Sequence, residues 1–269
     1  VAGGELDASG SVLFGTDKEP TINLAVNGKE VLFARTPDLN VRSNLSLALA
    51  GPWSKARLSG EIGIANSRFH KNFDLLPNAL PTRNTSVLPT QGGGAAYTDL
   101  NFGLDIPPFR DWPVSVRLFT EDPFLIRTNL ITSDLAADIK LNGTLGKPYP
   151  VGQVEIADGD FSLPFSSIDV EIARILFDEK SGFNGTLELR ARAKADKYRI
   201  NIFLFNRMLD PQYVLTSIPP LPTEDLLTLL ITGATRDEII GGDPSSLIAS
   251  KAAILMFKNM RKVSAAADR

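Results

Sequence analysis

The sequence has no cysteine and only one histidine among its 269 residues. The first absence excludes disulfides, thiol nucleophiles and thiolate zinc sites in one step. It also suits a chain that works in an oxidising compartment without stray bridges. The second leaves His70, beside Lys71, without the neighbours that a catalytic triad or a metal cluster requires. His70 therefore reads as a surface residue. No run of about 18 apolar residues is present to span a membrane as a helix. Nor does either charge dominate: 28 basic against 31 acidic residues give a net charge of −3, so nothing here recruits nucleic acid. The glycine-rich "GGGAAYT" lacks the Gly-Lys-Ser/Thr ending of a phosphate loop. The close acidic pairs, Asp158 and Asp160 about Gly159, Glu121-Asp122 and Asp178-Glu179, read as turn chemistry rather than acid–base or calcium sites. No enzyme activity, metal or cofactor is expected.

What is abundant is alternation. From residue 1 to about 220 the dominant period is two, the mark of half-buried antiparallel strands. "TINLAV" sets Ile22, Leu24 and Val26 against Thr21, Asn23 and Ala25. "DLNFGLDI" does the same with Leu100, Phe102, Leu104 and Ile106, and "VSVRL" with Val114, Val116 and Leu118. "DLAADIKLNGTL" sets Leu135, Ala137, Ile139 and Leu141 against Asp134, Asp138, Lys140 and Asn142. In "TLELRARAKA", Leu187 and Leu189 oppose Glu188, Arg190, Arg192 and Lys194, and "YRINIFLF" offers Ile200, Ile202 and Leu204. Arg190, Arg192 and Lys194 read as the wet face of a strand. Asn27-Gly28, Asp158-Gly159, Ser181-Gly182 and Asn184-Gly185 read as turns between strands. Trp53 and Trp112, each beside a proline, read as packing at strand ends.

One phrase occurs twice. "LAGPWSKARLSGEIGIANSRF" from Leu49 and "LNGTLGKPYPVGQVEIADGDF" from Leu141 both place glycines nine apart, at Gly51 and Gly60 and at Gly143 and Gly152. Each phrase has a lysine four after its first glycine, and alternating aliphatics after its second: Ile62 and Ile64, then Val154 and Ile156. The repeat reads as strand, short crossing loop and second strand, a unit that buries its dry face only by stacking on neighbours.

About a dozen such strands need a cover on their dry side, and helices are nearly absent before residue 220. The remaining choices are a second sheet, closure into a barrel, or an open trough holding an apolar ligand. At about 25 cal/mol per Å², a bare aliphatic face of this length would forfeit on the order of tens of kcal/mol.

Two regions are expected. Residues 1–220 form the repetitive sheet, interrupted by a long Pro- and Gly-rich loop at about 71–97. Residues 221–269 form a helical segment. In it, Thr223 is a candidate N-cap, Glu224 and Asp225 suit the first turn, Leu226, Leu227, Leu229, Leu230 and Ile231 pack, and Gly233 ends the helix. A second helix is expected after Asp243-Pro244, running through Leu247 to Met260. The opening "VAGGELDASGSVLFG" reads as mid-domain strand and "SAAADR" as no natural closure. The expectation is a piece of a longer protein whose membrane anchor lies outside it.

The segments "GQVEIADGDFSLPFSSIDVEIARILF", "LELRARAKADKYRINIFLF" and "VLTSIPPLPTEDLLTLLITG" follow one order. A Gly-x-Val strand leads through Asp-Gly to an F-x-L strand and an "ILF" strand, then to a Ser/Pro-flanked Leu-rich helix closing on Thr-Gly. This order resembles the C-terminal domain of the TamB family, best over residues 135–240. The resemblance implies an elongated, folded-over β-taco: a curled antiparallel sheet with an apolar groove, plus short C-terminal helices. It implies a non-enzymatic protein of the bacterial periplasm, anchored to the inner membrane, with an outer-membrane barrel partner of the TamA type. The implied roles are phospholipid transport through the groove and assembly of outer-membrane proteins such as autotransporters. Family C-termini finish in further strands after the helix, and this sequence stops at Arg269 without them.

On this reading the groove is lined by Ile22, Leu24, Val26, Leu100, Phe102, Leu104, Ile106, Leu135, Ile139, Leu141, Val154, Ile156, Phe161, Leu163, Leu187, Leu189, Ile200, Ile202 and Leu204, against phospholipid acyl chains. The alternative is a closed β-solenoid or sandwich acting as a binding or adhesion module. An enzyme on a parallel β-helix would need clustered acids on consecutive strands, which the sequence does not offer.

Overall fold

The computed structural model describes residues 3–15, 19–71, 102–162 and 165–241. Twelve strands form one sheet: β1 (Glu5–Leu13), β2 (Thr21–Arg35), β3 (Leu39–Pro52), β4 (Arg57–Lys71), β5 (Pro113–Thr120), β6 (Phe124–Thr128), β7 (Ile131–Thr144), β8 (Lys147–Ser162), β9 (Ser166–Phe177), β10 (Thr186–Ala195), β11 (Tyr198–Arg207) and β12 (Asp210–Ile218). Two helices follow, α1 (Thr223–Thr232) and α2 (Arg236–Gly241). The strands lie in chain order from β1 to β12, with short β6 set beside β4 and β7 next to β5. Among the described residues, β1 pairs only with β2, and β12 only with β11. The sheet is therefore open, and a closed barrel is ruled out. With 16 residues, β8 runs about 50 Å at ~3.3 Å per residue.

The sheet is not wholly antiparallel. β4 runs parallel to both β5 and β6. The chain leaves β4 at one end of the sheet and begins β5 at the other, so a crossover replaces a hairpin. Most of that crossover lies outside the described residues, as does the expected loop beyond Lys71.

Two expected turns are not turns. β2 runs straight through Asn27-Gly28, and β8 through Asp158-Gly159. At both places the pairing slips: between Gly28 and Val31 against β3, where Glu30 has φ +51°, and between Ser133 and Asp134 against β8. The turn-forming residues serve as β-bulges, which bend a long strand without ending it. Ser181-Gly182 and Asn184-Gly185 do lie in the β9–β10 connection, where Gly182 has φ +54°.

The repeated phrase is a pair of equivalent hairpins, β3–β4 and β7–β8. The four glycines spaced nine apart all have positive φ: Gly51 +124°, Gly60 +135°, Gly143 +99° and Gly152 +138°. A Cβ at Gly60 would sit 2.0 Å from the Ser46 carbonyl oxygen, and one at Gly152 2.1 Å from that of Asp138. The nine-residue spacing thus marks two places where only glycine lets the strand pass its neighbour.

The segment expected as a strand around Phe102, Leu104 and Ile106 is not one. It is an irregular lead-in to β5, ended by Pro107-Pro108, which cannot donate to a sheet ladder. α1 ends at Gly233 in the left-handed conformation, its N–H donating to the Leu229 carbonyl at 2.8 Å. Pro222 is the N-cap and Thr223 the first helical residue, without a side-chain cap. The helix expected after Asp243 lies outside the described residues. α2 instead follows Thr235, whose N–H donates to the Glu238 carboxylate at 2.9 Å and whose Oγ1 accepts from the Glu238 N–H at 3.4 Å.

Candidate apolar binding face

Residues opposite each other in neighbouring strands share a face, so register extends one face across the sheet. One row reads Leu6, Gly28, Leu45, Ile62, Leu118, Ile139, Gly152 and Phe177, from β1 to β9. The row beside it reads Ala8, Val26, Leu47, Gly60, Val116, Leu141 and Pro150. On the C-terminal side, Phe124, Leu135, Ile156, Ala173, Leu189, Leu204 and Tyr213 form another. Ile131, Phe161, Ile168, Ala193, Ile200 and Ser217 follow in parallel. None of these positions holds a charged residue.

Among the described residues, two elements cover this face. At the C-terminal side α1 seats Leu226, Leu229 and Leu230 against Val170, Ala191, Ala193, Ala195, Ile200, Ile202 and Leu215. Ser166 Oγ donates to the Leu230 carbonyl at 3.0 Å and ties the helix end to the sheet. Ile231 points away and is exposed. At the opposite ends of the N-terminal strands, Trp112 is buried with Ile22 and Ala56. Its ring meets Phe109 and Trp53 edge-on, and its Nε1 donates to the Trp53 carbonyl at 2.8 Å. Between the covers the face is mixed: Leu45 and Val116 are buried by their neighbours, while Leu47, Leu118, Ile139 and Val154 are half-buried. Towards β1 it opens, with Leu24 40% exposed and Leu6 59%.

The model for the TamB C-terminal domain matches residues 1–267. The chain belongs to the TamB C-terminal domain family. The comparison with curated proteins returns no match. Membership gives this TamB-family chain a general role in the bacterial cell envelope. No helix among the described residues is long and apolar enough to cross a membrane. Among the described residues no group of three or more metal-ligating side chains comes together.

The opposite face of the TamB-family sheet is a ladder of cross-strand ion pairs. Arg117 on β5 grips Asp138 on β7 with two bonds of 2.9 and 2.8 Å. Arg174 on β9 holds Glu188 on β10, which also meets Arg190 at 3.0 Å, and Arg192 pairs with Glu171. Hydrogen bonds from Arg117 hold the Asp138 carboxyl below its ordinary range, and those from Arg174 do the same for Glu188. The stripe of Arg190 and Arg192 is thus engaged by carboxylates. Phe203 and Phe205 lie on this face too, stacked 5.0 Å apart.

Of the residues expected to line the groove, Ile22, Leu24, Val26, Leu135, Ile139, Leu141, Val154, Ile156, Phe161, Leu187, Leu189, Ile200, Ile202 and Leu204 share the charge-free face. Ile200 and Ile202 lie beneath α1, and Ile22 beneath Trp112. Leu100 and Leu163 lie outside the described residues. Phe102, Leu104 and Ile106 stand off the strands; the Leu104 N–H donates to the Leu145 carbonyl at 2.7 Å, and the Phe102 ring meets Phe183 edge-on at 4.7 Å. Leu45, Leu47 and Leu49 on β3 were not singled out, although "LSLALA" alternates plainly.

Proposed function

We propose that this TamB-family domain is a non-catalytic carrier surface whose apolar groove holds phospholipid acyl chains passing between the inner and outer membranes. The groove is the part of the charge-free face between α1 and the Trp53–Phe109–Trp112 cluster. On this reading the protein is held at the inner membrane, and its outer-membrane end meets a barrel partner of the TamA type. One observation supports the reading: a face without charge, traced through eight strands in a single row, leaves Leu6 and Leu24 exposed and Leu118 and Ile139 half-buried, with protein cover among the described residues at α1 and the Trp112 cluster. Acyl chains supply the missing cover at about 0.8 kcal/mol per buried CH₂. Native mass spectrometry of the chain purified from membranes tests this. Bound phospholipid is expected in the wild type and lost in Ile139→Lys. Retention of lipid by Ile139→Lys, with Lys140→Ile equally loaded, would remove the groove from the account.

A second role, support of outer-membrane protein assembly, draws on the two sheet edges. β1 and β12 each leave one row of backbone groups unpaired by the sheet, a template for an incoming strand. Proline replacement at Val214 on β12 would then block assembly of client barrels while leaving lipid loading intact.

A further inference from the structure

At the rim of the sheet the β2–β3 turn, β4 and β6 enclose a cavity of about 900 Å³. Its lining is lopsided: the guanidiniums of Arg35, Arg68 and Arg127, with His70 beside them, face the single carboxylate of Asp38. Register explains how they meet. Arg35 lies opposite Asn40, Asn40 opposite Arg68, and Arg68 opposite Leu125, while His70 lies opposite Arg127. The parallel pairing of β4 with β6 creates the last two contacts, so nothing local in the sequence announces them. Asp38 is engaged by Lys71 at 3.6 Å, and Arg127 by Asp134 at 2.5 Å. Arg35 and Arg68 have no carboxylate partner among the described residues. They stand two strands apart, about 10 Å between backbones, with Asn40 between them. Leu39 and Phe69 complete the lining, and they belong to the row of Ile126 and Ser133 on the charge-free face.

Two guanidiniums without a carboxylate partner among the described residues, one on each side of β3, are arranged for an oxyanion with more than one oxygen to offer. Leu39 and Phe69, the neighbours of Asn40 and Arg68 along β3 and β4, turn to the opposite, charge-free side, so a ligand held by the arginines carries its hydrocarbon round the strand ends at the rim. We infer that this rim cavity binds the phosphate headgroup of an anionic amphiphile, the phosphate between Arg35 and Arg68 and its apolar part leading onto the charge-free face. The inference rests on the carrier reading above and deepens it, giving the groove an entrance that selects phosphate-bearing lipid.

The test uses the 269-residue chain with three probes: dihexanoyl phosphatidylglycerol below its micelle concentration, inorganic phosphate, and the uncharged dye N-phenyl-1-naphthylamine for the apolar face. Arg35→Ala/Arg68→Ala is expected to weaken phosphatidylglycerol binding by at least about tenfold and to leave dye binding unchanged. Arg35→Lys/Arg68→Lys keeps the charge and is expected to retain most of the affinity. Arg68→Gln alone, at an exposed strand position, gives the same ordering with a smaller loss and guards against a folding defect in the double variant. Inorganic phosphate is expected to bind at least about tenfold more weakly than the lipid, since it lacks the apolar contact. Equal affinity for the two would make this a free-phosphate site and overturn the lipid assignment. Unchanged phosphatidylglycerol binding in the alanine variant, with the dye still bound, would overturn the rim site and leave the carrier reading standing. Absence of dye binding in the wild type would instead remove the carrier reading itself.

Discussion

β10–β11 and β1–β2 carry the same alternation and end in opposite surroundings. On β10 and β11, Ala193 and Ile200 are almost fully sealed beneath α1. On β1 and β2, Leu6, Val12 and Leu24 face the same way and stay largely exposed. The strands do not differ in kind; the cover does. Alternation therefore fixes which side is dry, and the presence of α1 decides whether that side becomes core or stays open. A sheet with one sealed end and one open end suits a carrier, because the sealed end supplies stability that the open end does not have to provide.

The contrast is broken most forcefully at α1. Leu226→Asp or Leu229→Asp would bury an unpaired charge and cost about 4 kcal/mol or more, read as a drop in the denaturation midpoint. Leu229→Ala would cost about 2–5 kcal/mol by leaving a cavity. Next come the paired hairpins, one in each half. Gly60→Ala and Gly152→Ala force a Cβ onto a carbonyl oxygen at positive φ, and each would cost about 3 kcal/mol or more. Gly182→Ala, at φ +54° with nothing within 4 Å, would cost only about 1 kcal/mol. A like response of Gly60 and Gly152 confirms that the two hairpins are one device used twice.

The polar face gives a smaller effect that ignores the contrast. Asp138 and Glu188 have carboxyls depressed in the folded state by Arg117 and Arg174. A depressed carboxyl contributes stability above its unfolded pKa and loses it as the pH falls through the folded value. Stability should thus be flat near neutrality and decline below about pH 4, and Asp138→Asn should blunt that decline in acid melts. Smallest of all, Leu24→Ser on the open side should change stability by about 0.5 kcal/mol or less, where the same replacement at Ile200 would cost several times that.

Much of this was legible in the residues. The strands carrying Leu135–Leu141, Leu187–Ala195 and Tyr198–Leu204 announce themselves by strict alternation, and Gly233 announces the end of α1. Trp53 and Trp112 do pack at strand ends. Misreadings arose where one residue type serves two purposes. Asn-Gly and Asp-Gly make hairpin turns and also make bulges, and only pairing partners far along the chain distinguish the two. Phe102, Leu104 and Ile106 alternate like a strand, but Pro107-Pro108 denies them a ladder. Thr235 and Glu238 spell a capping box that the sequence offered and that went unread. The parallel partners of β4 depend on a crossover, which no local pattern encodes, and so the gathering of Arg68 and Arg127 at the rim could not be foreseen.

The central claim is that hydrocarbon, not protein, covers the middle of the charge-free face. Photocrosslinking in cells tests it most directly, with benzophenone side chains at Val26, Ile139 and Val154 and at their strand neighbours Asn27, Lys140 and Glu155. The account predicts phospholipid adducts at the first three positions and none at the second three. Adducts to the chain's own peptides at Val26, Ile139 and Val154, with no lipid captured, would contradict it.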